Sequence, residues 1–324
     1  MIIEDRVYGE EEINEQVLID LISSVPVQRL KEVSQFGMPD EYYHLVTFSR
    51  FEHSIGVMVL LRKLNAGLEE QIAGLLHDVS HTAFSHVIDW VIGDPTKEDH
   101  QDKTLLKTFE ETKIKNILEE HGFNYKKIAE AKNYSLLEQP APNLCADRVD
   151  YSLREIKFLH SEQDAEKILG DLKNINGKIT FASVEAAELF ARHYVNLNKE
   201  HWGGKEAKAR FHILANILKK AIKEKIISIE DMMKTVKEII KVLHKSNHEE
   251  ILSGLRILRN GFYLKKTEKE GIILQKKFRY IDPEFFHNGK IISLSEFSEK
   301  YKKTLEEERT RSLIKEQFLI IPIK

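Results

Sequence analysis

A single cysteine, Cys145, occurs among the 324 residues, which excludes an intramolecular disulfide and fits a reducing compartment. No apolar run approaches the roughly 18 residues that a membrane-spanning helix needs. The N-terminus, Met1-Ile2-Ile3-Glu4-Asp5, is acidic and has no basic start before an apolar stretch, so no secretory leader is expected. Neither charge is in large excess: 49 Lys and Arg stand against 52 Asp and Glu, a net charge of −3. That balance argues against bulk affinity for nucleic acid. Internal repeats and low-complexity linkers are absent too. What remains, 42% hydrophobic and 31% charged residues, describes a soluble globular chain expected in the cytoplasm without a membrane partner.

Helical periodicity dominates as far as residue 260. Residues 11–24 place Ile13, Val17, Leu18, Leu21 and Ile22 on one stripe. Residues 53–65 and 69–77 read as two buried helices, apolar on most faces. Residues 103–120, 144–160, 183–198, 207–225 and 228–245 follow as amphipathic helices, with a further one from Asn247 to about Arg259. The pairs Ser228 with Asp231 and Asn247 with Glu250 read as helix starts. The composition then shifts. Gly271-Ile272-Ile273-Leu274 and Phe278-Arg279-Tyr280-Ile281 suggest a short strand pair, residues 294–315 a charged helix, and residues 318–323 a last strand. The expected architecture is mainly α: a large helical domain over 1–260 and a small mixed α+β lobe over 261–324.

Against this background one scattered set of residues carries chemistry. His53, the adjacent pair His77-Asp78, and Asp147 occur in the order used by mononuclear metal hydrolases. His77 and Asp78 end a strongly apolar segment, where an anionic side chain is costly unless paired or bound to metal. His81, His86 and Asp89 follow closely, and His81 would share a face with His77 if the helix continued. Two imidazoles and two carboxylates suit Mn, Fe, Zn, Ni or Mg. Four protein ligands leave positions for water and substrate, as metal-assisted hydrolysis requires. Asp147, Tyr151 and Glu155 recur every four residues and would share one helix face.

These residues, with Pro26-Val27-Gln28-Arg29-Leu30, Arg50-Phe51-Glu52-His53-Ser54, Ala83-Phe84-Ser85-His86 and Asp147-Arg148-Val149-Asp150-Tyr151, resemble the HD-domain phosphohydrolases. The resemblance is greatest to the deoxynucleoside triphosphate triphosphohydrolases of the sterile-alpha-motif/HD type, and it spans about residues 25–160. It implies an HD-domain helical bundle and one divalent transition metal held by His53, His77, Asp78 and Asp147, with Mg on the substrate phosphates. It implies attack at the α-phosphate of a deoxynucleotide by a metal-bound water, releasing nucleoside and triphosphate. His81 would contact the α-phosphate, and His86 would serve as general acid. His100 would be a further active-site histidine, oriented by Asp89. Arg50 and Arg148 would meet phosphates, and Gln35, Tyr151 and Glu155 the sugar. A homo-oligomer, dimer or tetramer, is implied as well.

The chain departs from the family pattern after His77-Asp78, where Val79-Ser80-His81-Thr82-Ala83 lacks two glycines and a proline. It departs again on a later helix, where Arg192 fits but Asn196 and Glu200 replace a His and a Tyr. A carboxylate at Glu200 near a γ-phosphate would be repulsive. That motivates an alternative substrate, a nucleotide monophosphate or another phosphoester. A third reading, a nucleotide- or nucleic-acid-binding protein with vestigial catalysis, rests on Lys205, Lys208, Lys219, Lys220, Lys223, Lys225, Lys265, Lys266, Lys276 and Lys277. Interleaved acids make solvated helix faces the better account of these lysines.

Overall fold

Ser49 opens the helix on which the fold is built. Its hydroxyl accepts from the Glu52 backbone N–H at 3.1 Å, while the Glu52 carboxylate accepts from the Ser49 N–H at 2.9 Å. This reciprocal cap starts α1 (Arg50–Lys63), and Arg62 and Lys63 complement its C-terminal end. The computed structural model describes residues 1–45, 48–274 and 278–323.

Beside α1 lies α2 (Leu68–Leu76). A side chain at Gly74 would come within 2.4 Å of Leu61, so glycine lets the two helices close on each other. Both are buried on most faces, as their composition predicts. Among the helices packed with them are α3 (Ala146–Glu155), running into a π-helical turn at Ile156–His160, and α4 (Val184–Leu197), followed by the π-helical turn Asn198–Trp202. A second core gathers on α5 (Lys205–Lys223) and α6 (Glu249–Asn260), with Phe84, Val87 and Ile88 packed into it. Gly261, at φ +90°, ends α6 where the sequence places the stop.

Several expected helices are shorter. Residues 103–120 form two, His100–Glu111 and Lys113–Glu120, because Thr112 turns extended and its hydroxyl caps the second. Ser228 and Asp231 shape only a short turn, and the helix starts at Val236 behind a Thr235–Glu238 capping box. In front of the first helix, Gln16–Ser23, stands an unexpected hairpin of β1 (Ile2–Asp5) and β2 (Gly9–Glu12).

The remaining strands form two small sheets. One has the order β3 (Leu172–Ile175), β4 (Lys178–Phe181), β7 (Glu284–His287), β8 (Lys290–Ser293), with β4 and β7 parallel through Phe181 and Phe285. The other has β9 (Gln317–Pro322) between β5 (Phe262–Thr267) and β6 (Ile272–Ile273). The chain is mainly α with small sheets, one of them formed wholly by its C-terminal part. The C-terminal segment supplies β7 and β8 to a sheet begun by residues 172–181. The expected strand at 278–281 is absent: residues 278–280 are irregular, and all three line the central cavity.

Candidate metal centre and active site

His53 is fully buried on α1, one turn after the helix start. Its Nδ1 lies 2.7 Å from Asp150 Oδ2, which leaves Nε2 facing Asp147 Oδ1 at 2.9 Å. His77 caps the end of α2, and its Nδ1 lies 2.7 Å from the Gly74 carbonyl. Its Nε2 therefore also points inward, 3.3 Å from His53 Nε2. Each ring thus has an acceptor behind it that holds a proton on Nδ1 and turns an Nε2 lone pair to the centre.

His53, His77 and Asp147 present ligand atoms all within 4.8 Å of one another. Asp78 adjoins them: its oxygens are 3.4 Å from His77 Nε2 and 3.7 Å from His53 Nε2. Two imidazole nitrogens and two carboxylates facing one another repel unless a cation lies between them, so the donor set fits a divalent metal. The electrostatics agree. Burial lowers the His77 pKa, but Asp78 and Asp147 outweigh it and push it up to about 9. Burial likewise opposes the charging of His53, and its bonds to Asp147 and Asp150 raise it regardless.

The helix stops at Leu76, so His77 and His81 do not share a helical face. A tight loop brings both to the cavity instead, with Val79 N–H donating to Leu76 O and His81 N–H to Asp78 O. Arg29 clamps that loop: its Nη2 donates to the carbonyls of Val79 at 3.0 Å and His81 at 2.6 Å. The missing glycines cost little, since among residues 78–86 only Ser85 has a positive φ, at 45°. Its hydroxyl is held by Arg50 Nε and donates to Ser34 O, both at 2.8 Å.

A cavity of about 430 Å³ opens over the cluster. Gln35, Arg50, His77, Asp78, His81, His86, Asp147, Arg148, Tyr151 and Glu155 line it, so most of the expected site residues converge. His81 Nε2 is 3.2 Å from Asp78 Oδ1; burial and the Arg50 guanidinium push its pKa down to about 4. His86 Nδ1 is 3.5 Å from Asp89 Oδ2, and burial pushes Asp89 up to about 6. Asp89 sits behind His86 rather than on the cavity wall.

Besides Asp89 and the fully buried His53, two expected residues do not line the cavity. His100 begins its helix, and Asp89 accepts its backbone N–H at 3.2 Å rather than orienting its ring; the neighbouring Gln101 and Asp102 line the cavity instead. Arg192 is exposed on α4, because Tyr194, two positions and about 200° further round, takes the inward face. Glu200 is exposed as well. The π-helical turn slips the register there, sending His201 and Trp202 inward. The expected repulsion at Glu200 therefore has no structural basis.

Sequence reasoning passed over Asp150, Glu98, Glu138, Tyr194, Trp202 and the segment 278–280. Asp150 stands three residues after Asp147, a helical spacing that marks it as a second inward carboxylate. The Tyr194 hydroxyl meets the Tyr151 hydroxyl at 3.0 Å, and Trp202 packs edge-on against Tyr151. No local pattern announces the other contacts, which join distant segments. Of the lysines weighed for nucleic acid, Lys205 and Lys266 both pair with Glu316, and Lys220 with Glu224 and Glu250. Lys276 and Lys277 lie outside the described residues.

A model of the HD domain matches residues 50–276, the stretch holding every residue of the cluster. The chain belongs to the HD-domain family of metal-dependent phosphohydrolases. It is 40% identical over 307 residues to the uncharacterized protein YdhJ of Bacillus subtilis, covering 94% of each chain. It is 35% identical to the metal-dependent phosphohydrolase cns2 of Cordyceps militaris, over 62% of this chain and 61% of that one. It is 26% identical to the deoxynucleoside triphosphate triphosphohydrolase SAMHD1 homolog of Dictyostelium discoideum, over 86% of this chain and 62% of that one. No helix among the described residues is long and apolar enough to cross a membrane.

Proposed function

We propose that this HD-domain protein hydrolyses deoxynucleoside triphosphates to nucleoside and triphosphate, with the metal held by His53, His77, Asp78 and Asp147. The observation that carries the reading is the union of a four-ligand cluster and histidine side chains in one cavity of about 430 Å³, ample for a nucleotide. The distant likeness to a triphosphohydrolase over 86% of this chain supports the choice of substrate. When bound, the metal would acidify a water and draw charge from a phosphoryl oxygen.

The chain's own residues do the rest. His81, buried and neutral, places a ring nitrogen beside the reacting phosphate. His86 stands at the cavity wall with the Asp89 carboxylate 3.5 Å behind its Nδ1, a position from which it would deliver a proton to the leaving 5′ oxygen. Tyr151 and Glu155 follow Asp147 on one face of α3, so sugar contacts are fixed to the same helix as a metal ligand. Glu200 is exposed, outside the cavity, so it gives no reason to prefer a monophosphate to a triphosphate.

The test is a panel of the four common deoxynucleotides with metal-loaded protein and product identification. Triphosphate and nucleoside are expected in equal amounts; absence of turnover on all four would refute the substrate. His86→Gln should cut kcat by about 10²- to 10⁴-fold while metal content holds.

A further inference from the structure

Carboxylates outnumber guanidinium groups on the cavity wall. Asp78, Glu98, Asp102, Glu138, Asp147 and Glu155 line it, against three guanidinium groups, Arg50, Arg148 and Arg279. A phosphate chain therefore depends on how those cations are committed.

Every guanidinium nitrogen of Arg50 has a protein partner. Its Nη1 donates to Asp78 at 2.5 Å, its Nε to Ser85 Oγ at 2.8 Å and its Nη2 to the Gln35 carbonyl at 3.2 Å. Arg148 donates through Nη1 to the Asn143 carbonyl at 2.5 Å and through Nη2 to the Gln139 carbonyl at 3.2 Å. Both guanidiniums are structural struts in this arrangement.

Arg279 differs. Its Nη2 donates to the Glu98 carboxylate, and its Nη1 is buried without a hydrogen-bond partner among the described residues. Arg29 and Arg154 also leave an Nη1 unpartnered, but neither lines the cavity. Arg279 lies near enough to Tyr151 and Tyr194 to act electrostatically on both hydroxyls. Glu98 is only 2% exposed, and its backbone sits in the left-handed region at φ +52°, which a glutamate adopts at a cost. A strained, buried carboxylate thus holds a guanidinium that keeps one nitrogen unpaired, on a side chain that borders the cavity and is 18% exposed. Such a nitrogen is a charge-assisted donor prepared for a phosphate oxygen.

We infer that Arg279, delivered by the C-terminal segment, is a substrate-binding residue that grips the phosphate chain of the substrate. The flanking rings of Phe278 and Tyr280, stacked with centroids 5.3 Å apart, wall the same side of the cavity. The inference rests on the phosphohydrolase reading for its substrate class, but its test does not need turnover.

Inorganic triphosphate is the probe, titrated calorimetrically into the metal-loaded full-length protein. Arg279→Ala should weaken binding roughly ten- to a hundredfold, the usual worth of one charge-assisted contact. Arg279→Lys should recover part of the loss. Because Arg279→Ala strands the buried Glu98 carboxylate, the double variant Arg279→Ala/Glu98→Gln is measured beside it, with metal content and thermal melting as controls. The double variant should melt like the parent, keep its metal and still bind triphosphate weakly. Wild-type affinity in a folded, metal-replete double variant would overturn the assignment, as would failure of the parent to bind triphosphate. Arg279-dependent binding in a protein that turns over no deoxynucleotide would uphold this site and refute the proposed substrate alone.

Discussion

Asp150 makes no contact with the cavity, yet it decides how His53 presents itself. With Asp150 accepting from Nδ1 at 2.7 Å, His53 keeps its free nitrogen at the centre. Asp150→Asn removes that anionic acceptor and should lower metal affinity about 10- to 100-fold, measured by competition with a chromophoric chelator. Unchanged affinity would mean that Asp150 serves only Arg154. His77 allows a second check. Its folded pKa of about 9 lies above the roughly 6.5 of an unfolded histidine, so the protonated ring stabilises the metal-free fold. That contribution is complete below about pH 6.5 and lost as pH rises through about 9. Melting temperature of the chelator-treated protein should fall across this window. The metal-loaded protein, whose His77 is already deprotonated, should lack that slope. Parallel profiles for the two forms would argue against His77 as a ligand.

At the scale of elements, the decisive unit is the loop between α2 and the short helix Val87–Ile92. It carries His77, Asp78, His81 and His86, and only a few outside contacts shape it. Arg29 supplies two, so Arg29→Ala should destabilise the protein by about 1–3 kcal/mol in denaturant titrations and depress kcat with little change in metal content. Loss of metal instead would show that the loop's first turn depends on Arg29 too. This loop also shows what was legible beforehand. Helices with a strong apolar stripe and a clear cap could be read, as could the residues that end them, because local spacing determines both. The candidate ligands stood out because histidine and aspartate have no packing reason to interrupt an apolar segment. Arg192, His100 and Glu200 could not be placed, because each depends on where a helix begins or on a one-residue π-type slip. The β1–β2 hairpin and the pairing of β4 with β7 escaped notice because their partners are remote or their strands only four residues long.

For the molecule as a whole, a line of buried charge runs from the N-terminal hairpin to the metal cluster. Asp5 accepts from Arg154 Nη2 at 2.6 Å, Arg154 Nε donates to Asp150 at 2.9 Å, and Asp150 supports His53. A side chain at Gly56 would come within 1.9 Å of Arg154 and 2.1 Å of Asp150, so the line passes through space that only glycine leaves free. Asp5→Ala removes one of the two carboxylates balancing a fully buried guanidinium and should cost about 3–5 kcal/mol. A chemical-denaturation midpoint matching the parent would show that Arg154 finds water or another acceptor. Beside Asp5→Ala, Asp5→Asn should recover part of the stability by restoring one hydrogen bond.

The parallel pairing of β4 with β7 also bears on how the protein comes off the ribosome. Phe181 is synthesised long before Phe285, its cross-strand neighbour, exists. Until then β4 has only β3 beside it, and its other edge carries unpaired N–H and C=O groups. Closing so long a stretch of chain is slow. The nascent protein therefore passes through an interval in which its metal ligands are all made while a strand edge stands open to other chains. Arg279, just ahead of β7, comes to the cavity wall from the same late-made segment.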